Sequence, residues 1–184
     1  MRSIRNVIAV CLCLAGTVAA QTPSGERITI LASIQPPKTA PRTEVLNTLP
    51  RAAQEQISKS PVPVLVLPNV GEFTAKRIMV ENVYYAAFFS DGKQTISIEG
   101  SRLAYRYSGQ HLLSDKAEKD SIRSIQGFIT DSEGIWTASW KEFGAAYFIS
   151  LECAEEKDDR CRSGDYVLRL AKLPCLCWWR SCSK

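Results

Sequence analysis

The sequence predicts a mostly β protein, an antiparallel β-sandwich or partly open barrel of about seven to eight short strands with one short N-terminal helix. Three observations lead there. Apolar and polar residues alternate with a period of two in one segment after another from Phe73 onward. Turn-forming residues recur at intervals of about ten residues. The Asp91-Gly92 pair joins two β-prone runs, the strongest short-range signal of a hairpin. The composition, 45% hydrophobic and 23% charged over 184 residues, describes one ordinary globular domain and excludes a disordered or fibrous chain.

The chain opens with a short positive stretch, Met-Arg-Ser-Ile-Arg, and then runs uncharged from Val7 to Ala20 before polar Gln21-Thr22-Pro23. A positive flank, an apolar core and small residues at Val18-Ala19-Ala20 form the layout of a secretory signal peptide over residues 1–20. The apolar run is shorter than the roughly 20 residues that cross a bilayer, so no transmembrane anchor is expected in the mature form. Cys13 lies upstream of Leu14-Ala15-Gly16, and Thr17 stands where a lipid-bearing cysteine would. Without residues 1–20, which carry two of the 23 basic residues, the excess of Lys and Arg over the 19 acids falls to two. No basic cluster stands out, which argues against a nucleic-acid partner.

Residues 21–47 are rich in Pro and small polar residues and read as a tether, with Arg27–Ala32 able to form one short strand. Leu49–Ser58 reads as the helix, with Thr48 in the N-cap position and Pro50 early. Pro61–Pro68 is extended and packed at the domain edge, because proline removes a backbone donor and is excluded from central strands. Val83–Phe89 and Gln94–Glu99 form the hairpin around Ser90–Lys93, and Leu103, Tyr105 and Tyr107 continue as the third strand of a meander. Ser108–Asp120 is a polar surface loop. Ile122–Thr130, Ile135–Trp140, Ala145–Cys153 and Asp165–Leu170 supply further strands. A single β-rich domain therefore covers 48–172, followed by a Cys- and Trp-rich tail over 173–184 that reads as no part of it.

Of the seven cysteines, Cys11 and Cys13 leave with the signal peptide. Cys153 and Cys161 bracket a charged loop between two strands, and in an oxidising compartment they form a disulfide that stabilises by about 2.5 kcal/mol on loop-closure grounds. The acids of that loop match no EF-hand spacing and are interleaved with Lys157, Arg160 and Arg162, so a solvated loop is expected and not a cation site. Cys175, Cys177 and Cys182 are unexplained thiols. A Cys-x-Cys plus one thiol lacks the usual fourth ligand for a soft metal, which leaves an internal disulfide, an inter-chain disulfide or a frayed tail. No metal and no cofactor are expected.

Enzymatic constellations are sparse. The lone His111 sits in the polar loop with no nucleophile motif beside it, and Asp131 and Glu133 lie in a turn where acids serve turn chemistry. The aromatic set reads mostly as core. Neighbours on a strand point to opposite faces, however, so Tyr84, Tyr85, Phe88, Phe89, Trp136 and Trp140 supply a candidate patch if one face stays uncovered. Together these features predict an exported, periplasmic or secreted binding module of the cell envelope whose partner is an unknown protein or small ligand. A small exported hydrolase using carboxylates and a structural component of an envelope assembly are the alternatives.

Overall fold

The computed structural model describes residues 27–107, 118–155 and 157–178. The expected signal peptide, His111 and Cys182 lie outside these residues.

The chain is mostly β and antiparallel. Strand β1 (Arg27–Leu31) precedes two short helices, α1 (Thr43–Asn47) and α2 (Arg51–Ile57), and the short strand β2 (Val64–Val66). Then come β3 (Ala75–Val80), β4 (Tyr84–Ser90), β5 (Gln94–Ser101), β6 (Leu103–Tyr107), β7 (Glu118–Ile122), β8 (Ile125–Ser132), β9 (Ile135–Glu142) and β10 (Ala145–Cys153). Helix α3 (Asp165–Lys172) and strand β11 (Cys175–Trp178) follow. Seven strands form one sheet in the order β3-β4-β5-β10-β9-β8-β7, and its two edge strands do not meet, so the barrel is open. Two meanders, β3 to β5 and β7 to β10, are joined where β10 pairs with β5 over Ala146–Cys153.

One face of this sheet is the core. Tyr85, Ala87 and Phe89 of β4, Ile96 and Ile98 of β5, and Tyr147, Ile149 and Leu151 of β10 alternate onto it and are buried. Helices α2 and α3 cover it together with a ribbon made by β2 and β11. Three two-residue turns, Arg123-Ser124, Glu133-Gly134 and Phe143-Gly144, connect the second meander with positive φ at both positions. That geometry matches the right-handed twist of the flanking strands. Arg123 is a costly choice for it, and its side chain is fixed by ionic hydrogen bonds to Glu142, at 2.8 and 3.2 Å, and by donation to the Pro174 carbonyl.

Several expectations are corrected. Asp165–Leu170 is helix α3 and not a strand: Val167, Leu170 and Ala171 bury at helical spacing, with Asp165 in the first turn and Arg169 and Lys172 in the last. The tail does not fray at Pro174, since β11 pairs with β2 and Cys175, Leu176 and Cys177 are buried. The apolar Pro61–Pro68 segment thus lies under the sheet, sandwiched rather than at an edge. Thr48 does not begin α2. Its hydroxyl donates to the Val45 carbonyl at 2.7 Å and closes α1, a helix inside the expected tether. Strand β6 does not extend the β4–β5 hairpin but pairs with β1, and the third member of that meander is β3. Residues 118–120, expected in a loop, belong to the edge strand β7, which pairs with β8.

Candidate functional site

The β4–β5 hairpin, the turn Val70–Glu72 and α3 enclose a cleft of about 510 Å³. Its apolar lining comes from Phe73, Ile96, Leu170 and Leu173, and its polar lining from Gln94, Asp91, Arg169 and Lys172. The volume lies within the range of small-molecule sites, about 300–1,000 Å³.

Asp91 shapes the hairpin end. Its Oδ1 accepts from the amides of Gln94, at 2.9 Å, and Lys93, at 2.8 Å, and these bonds hold its carboxyl below the usual range. Gln94 is only 7% exposed and opens the inward row of β5. Its Nε2 donates a long 3.3 Å bond to Asp91 Oδ2, while its Oε1 is buried and has no hydrogen-bond partner. An orphaned buried acceptor costs about 1–3 kcal/mol, so its presence in a cleft wall calls for a reason.

The hairpin is clamped from the side. Cys153 stands opposite Gln94 on β10 and is disulfide-bonded to Cys161, as the spacing predicted. The bond draws in the loop carrying Arg160, whose guanidinium lies 3.9 Å from Asp91 and bonds Asp158 at 2.5 Å. The hydrogen bond from Arg160 holds the Asp158 carboxyl down to about 2. Trp136 Nε1 donates to the Cys161 carbonyl at 2.9 Å, and Gly164 lies against the Trp136 ring where a Cβ would stand 3.1 Å away. Disulfide, Trp136 and Gly164 together seat the start of α3 beside the cleft.

A second cleft of about 600 Å³ is lined by Gln35, Arg102, Lys141, Glu142 and Phe143. Of its polar lining, the half-buried Glu142 takes Arg123 and the Trp140 indole, at 3.0 Å, and the half-buried Arg102 donates from Nε to the Ala32 carbonyl. It holds nothing comparable to Gln94.

The six aromatic candidates do not form one patch. Tyr85, Phe89 and Trp140 are buried on the inner face, and Trp136 lies on that face half-buried. Tyr84 and Phe88 sit on the outer face, where Phe148, 37% exposed, stands across from Glu99. Burial raises the Glu99 carboxyl. Cys175 and Cys177 are free thiols, both buried, and burial pushes Cys177 up to about 12. Among the described residues no group of His, Cys, Asp and Glu is placed to hold a metal ion, and no helix is long and apolar enough to cross a membrane.

Sequence reasoning missed Gln94 and Arg169. Gln94 hid as an ordinary residue beside a turn, and Arg169 was assigned to a strand; only the period of Val167, Leu170 and Ala171 would have turned it to the right side. Compared with known families, curated proteins and solved structures, the chain matches none.

Proposed function

We propose that this chain is an exported binding module of the cell envelope that holds a small ligand in the Gln94 cleft. The observation that carries the reading is the buried, unpartnered Oε1 of Gln94 in the wall of that cleft. The terminal torsion of glutamine is soft, and rotating it sacrifices only the 3.3 Å bond to Asp91, so a donor entering the cleft gains an acceptor at small expense. Export is supported by the signal-like pattern of residues 1–20 and by a disulfide that persists in oxidising compartments. The hydrolase alternative draws less support, because Asp91 is committed to backbone amides and Glu72 accepts from Asn69.

The test is a thermal-shift screen of small molecules against the wild type and Gln94→Leu. Compounds that raise the wild-type Tm should be found, since a ligand stabilises the state it binds. The variant should be more stable alone by about 1–2 kcal/mol, having lost an unsatisfied acceptor, and should not respond to them. A full ligand-induced shift retained in Gln94→Leu would overturn the proposal.

A further inference from the structure

We infer that the ligand of the Gln94 cleft is an anionic amphiphile: an apolar body, a carboxylate or phosphate head, and an N–H or O–H donor between them. The inference rests on the cleft being the ligand seat, and it follows from which of the cleft's charges are already engaged.

Both acids on the lining are hydrogen-bonded, although only Asp91 has a cation beside it. Glu72 Oε2 accepts from Asn69 Nδ2 at 2.9 Å, and Asp91 holds two backbone amides, Gln94 and the nearby Arg160. Of the two cations, Arg169 lies over the Tyr166 ring at 5.4 Å, and among the described residues neither it nor Lys172 has a carboxylate within ion-pair distance. Three residues apart on α3, they are neighbours on its surface, and Arg169 retains the forked donors that suit a carboxylate or phosphate. The C-terminal position on a helix favours cations in general. It does not explain why both of these line the cleft.

The apolar complement is as specific. Leu173 is 53% exposed at the end of the helix and stands at the mouth of the cleft, whose deeper lining includes the buried Phe73, Ile96 and Leu170. Gln94 then supplies an acceptor inside an apolar wall. A neutral hydrocarbon leaves Arg169 and Gln94 unused, and a cationic ligand meets Arg169 and Lys172 with like charge. An anionic amphiphile with one donor satisfies all three kinds of lining.

The test uses isothermal titration calorimetry with three probes: N-octanoylglycine, which has chain, amide N–H and carboxylate; its methyl ester, which lacks the charge; and octanoate, which lacks the amide. N-octanoylglycine should bind at least tenfold more tightly than either of the others. The double variant Arg169→Gln/Lys172→Gln should lose about tenfold for N-octanoylglycine and nothing for the ester. Gln94→Leu should lose about tenfold for both amides and nothing for octanoate. Sedimentation with phosphatidylglycerol and phosphatidylcholine vesicles separates the sources: binding to the former alone, displaced by N-octanoylglycine, identifies a lipid headgroup, and no vesicle binding identifies a free amphiphile. An ester that binds as tightly as the acid, or a double variant with undiminished affinity, overturns the anionic head and leaves the cleft standing as a ligand seat. If all three probes fail while the thermal-shift screen yields Gln94-dependent ligands of other chemistry, the inference is again overturned and the binding function is not.

Discussion

The Tyr85 hydroxyl serves both backbone polar groups of Leu65: it accepts from the amide at 3.0 Å and donates to the carbonyl at 3.1 Å. Leu65 lies in β2, whose other edge is paired with β11, so one phenol completes the edge that the ribbon turns toward the sheet. Tyr147 adds a 2.9 Å bond to the Pro63 carbonyl. Both rings are buried, and burial raises both hydroxyls far above the usual tyrosine value, so they remain protonated donors. Tyr85→Phe strands two buried groups and should cost about 3 kcal/mol, against about 1–2 kcal/mol for Tyr147→Phe, which strands one. Urea unfolding of the two variants checks the order; equal losses would show that the hydroxyl does not hold the ribbon.

Gly100 lies between those rings. It pairs with Tyr85 on one side and Tyr147 on the other, and a Cβ there would come within 2.4 Å of one ring and 2.8 Å of the other. Gly100→Ala should therefore cost about 1–3 kcal/mol by overpacking. Gly71, with nothing within 4 Å of an added Cβ, is the control, and Gly71→Ala should stay within about 0.5 kcal/mol of wild type. Chemical denaturation compares them, and equal stabilities would refute a steric role for Gly100.

Burial with a raised thiol makes Cys175 and Cys177 poor nucleophiles. In the folded protein at pH 8 neither should react with iodoacetamide over an hour, and both should react fully in guanidinium chloride. Peptide mass mapping reads the result. The same burial bars both from an inter-chain disulfide, so a Cys182→Ser chain lacking residues 1–20, and with them Cys11 and Cys13, should give no disulfide-linked dimer on non-reducing gels.

Opposite pH dependences are expected at two carboxylates. Burial raises Glu99, so folding favours its neutral form; that contribution is complete below the unfolded value of about 4.3 and is lost as pH rises through the folded value. Glu99→Gln should have a higher Tm than wild type at pH 7 and an equal one at pH 3. Asp158, held at about 2 chiefly by its hydrogen bond from Arg160, contributes fully above the unfolded value of about 3.9 and loses its contribution as pH falls toward 2. Asp158→Asn should thus lower Tm at pH 7 and match wild type near pH 2. Tm measured across pH 2–8 tests both signs.

Period-two patterning located β4, β5, β9 and β10 because each has one dry and one wet face, and the disulfide was legible because its two cysteines bracket a short charged loop. Alternation names strands, not partners. It placed β6 beside β5 as the third strand of a meander, whereas β6 pairs with β1, because the period of two fixes a strand's faces and not its neighbour. In α3 it misled, because Tyr166-Val167-Leu168-Arg169-Leu170 satisfies a strand pattern and a helical one equally; the residues across from it decide. The cleft was the least legible feature. It is assembled from Gln94, Phe73 and Arg169, which are far apart in the chain, and its defining property is a hydrogen bond that is missing.

The ribbon beneath the sheet joins residues 109 positions apart, Val66 and Cys175, and the sheet itself is whole only when β10 reaches β5. Neither half of the core can be sealed by local contacts, so ordering these loops must precede most of the hydrophobic gain. Such a topology folds on a scale of milliseconds to seconds and not microseconds. During synthesis the apolar Val62–Leu67 segment waits unprotected for a strand made more than a hundred residues later. A chain so arranged cannot bury that segment until β11 has been made, so the early apolar residues depend on late ones for their cover.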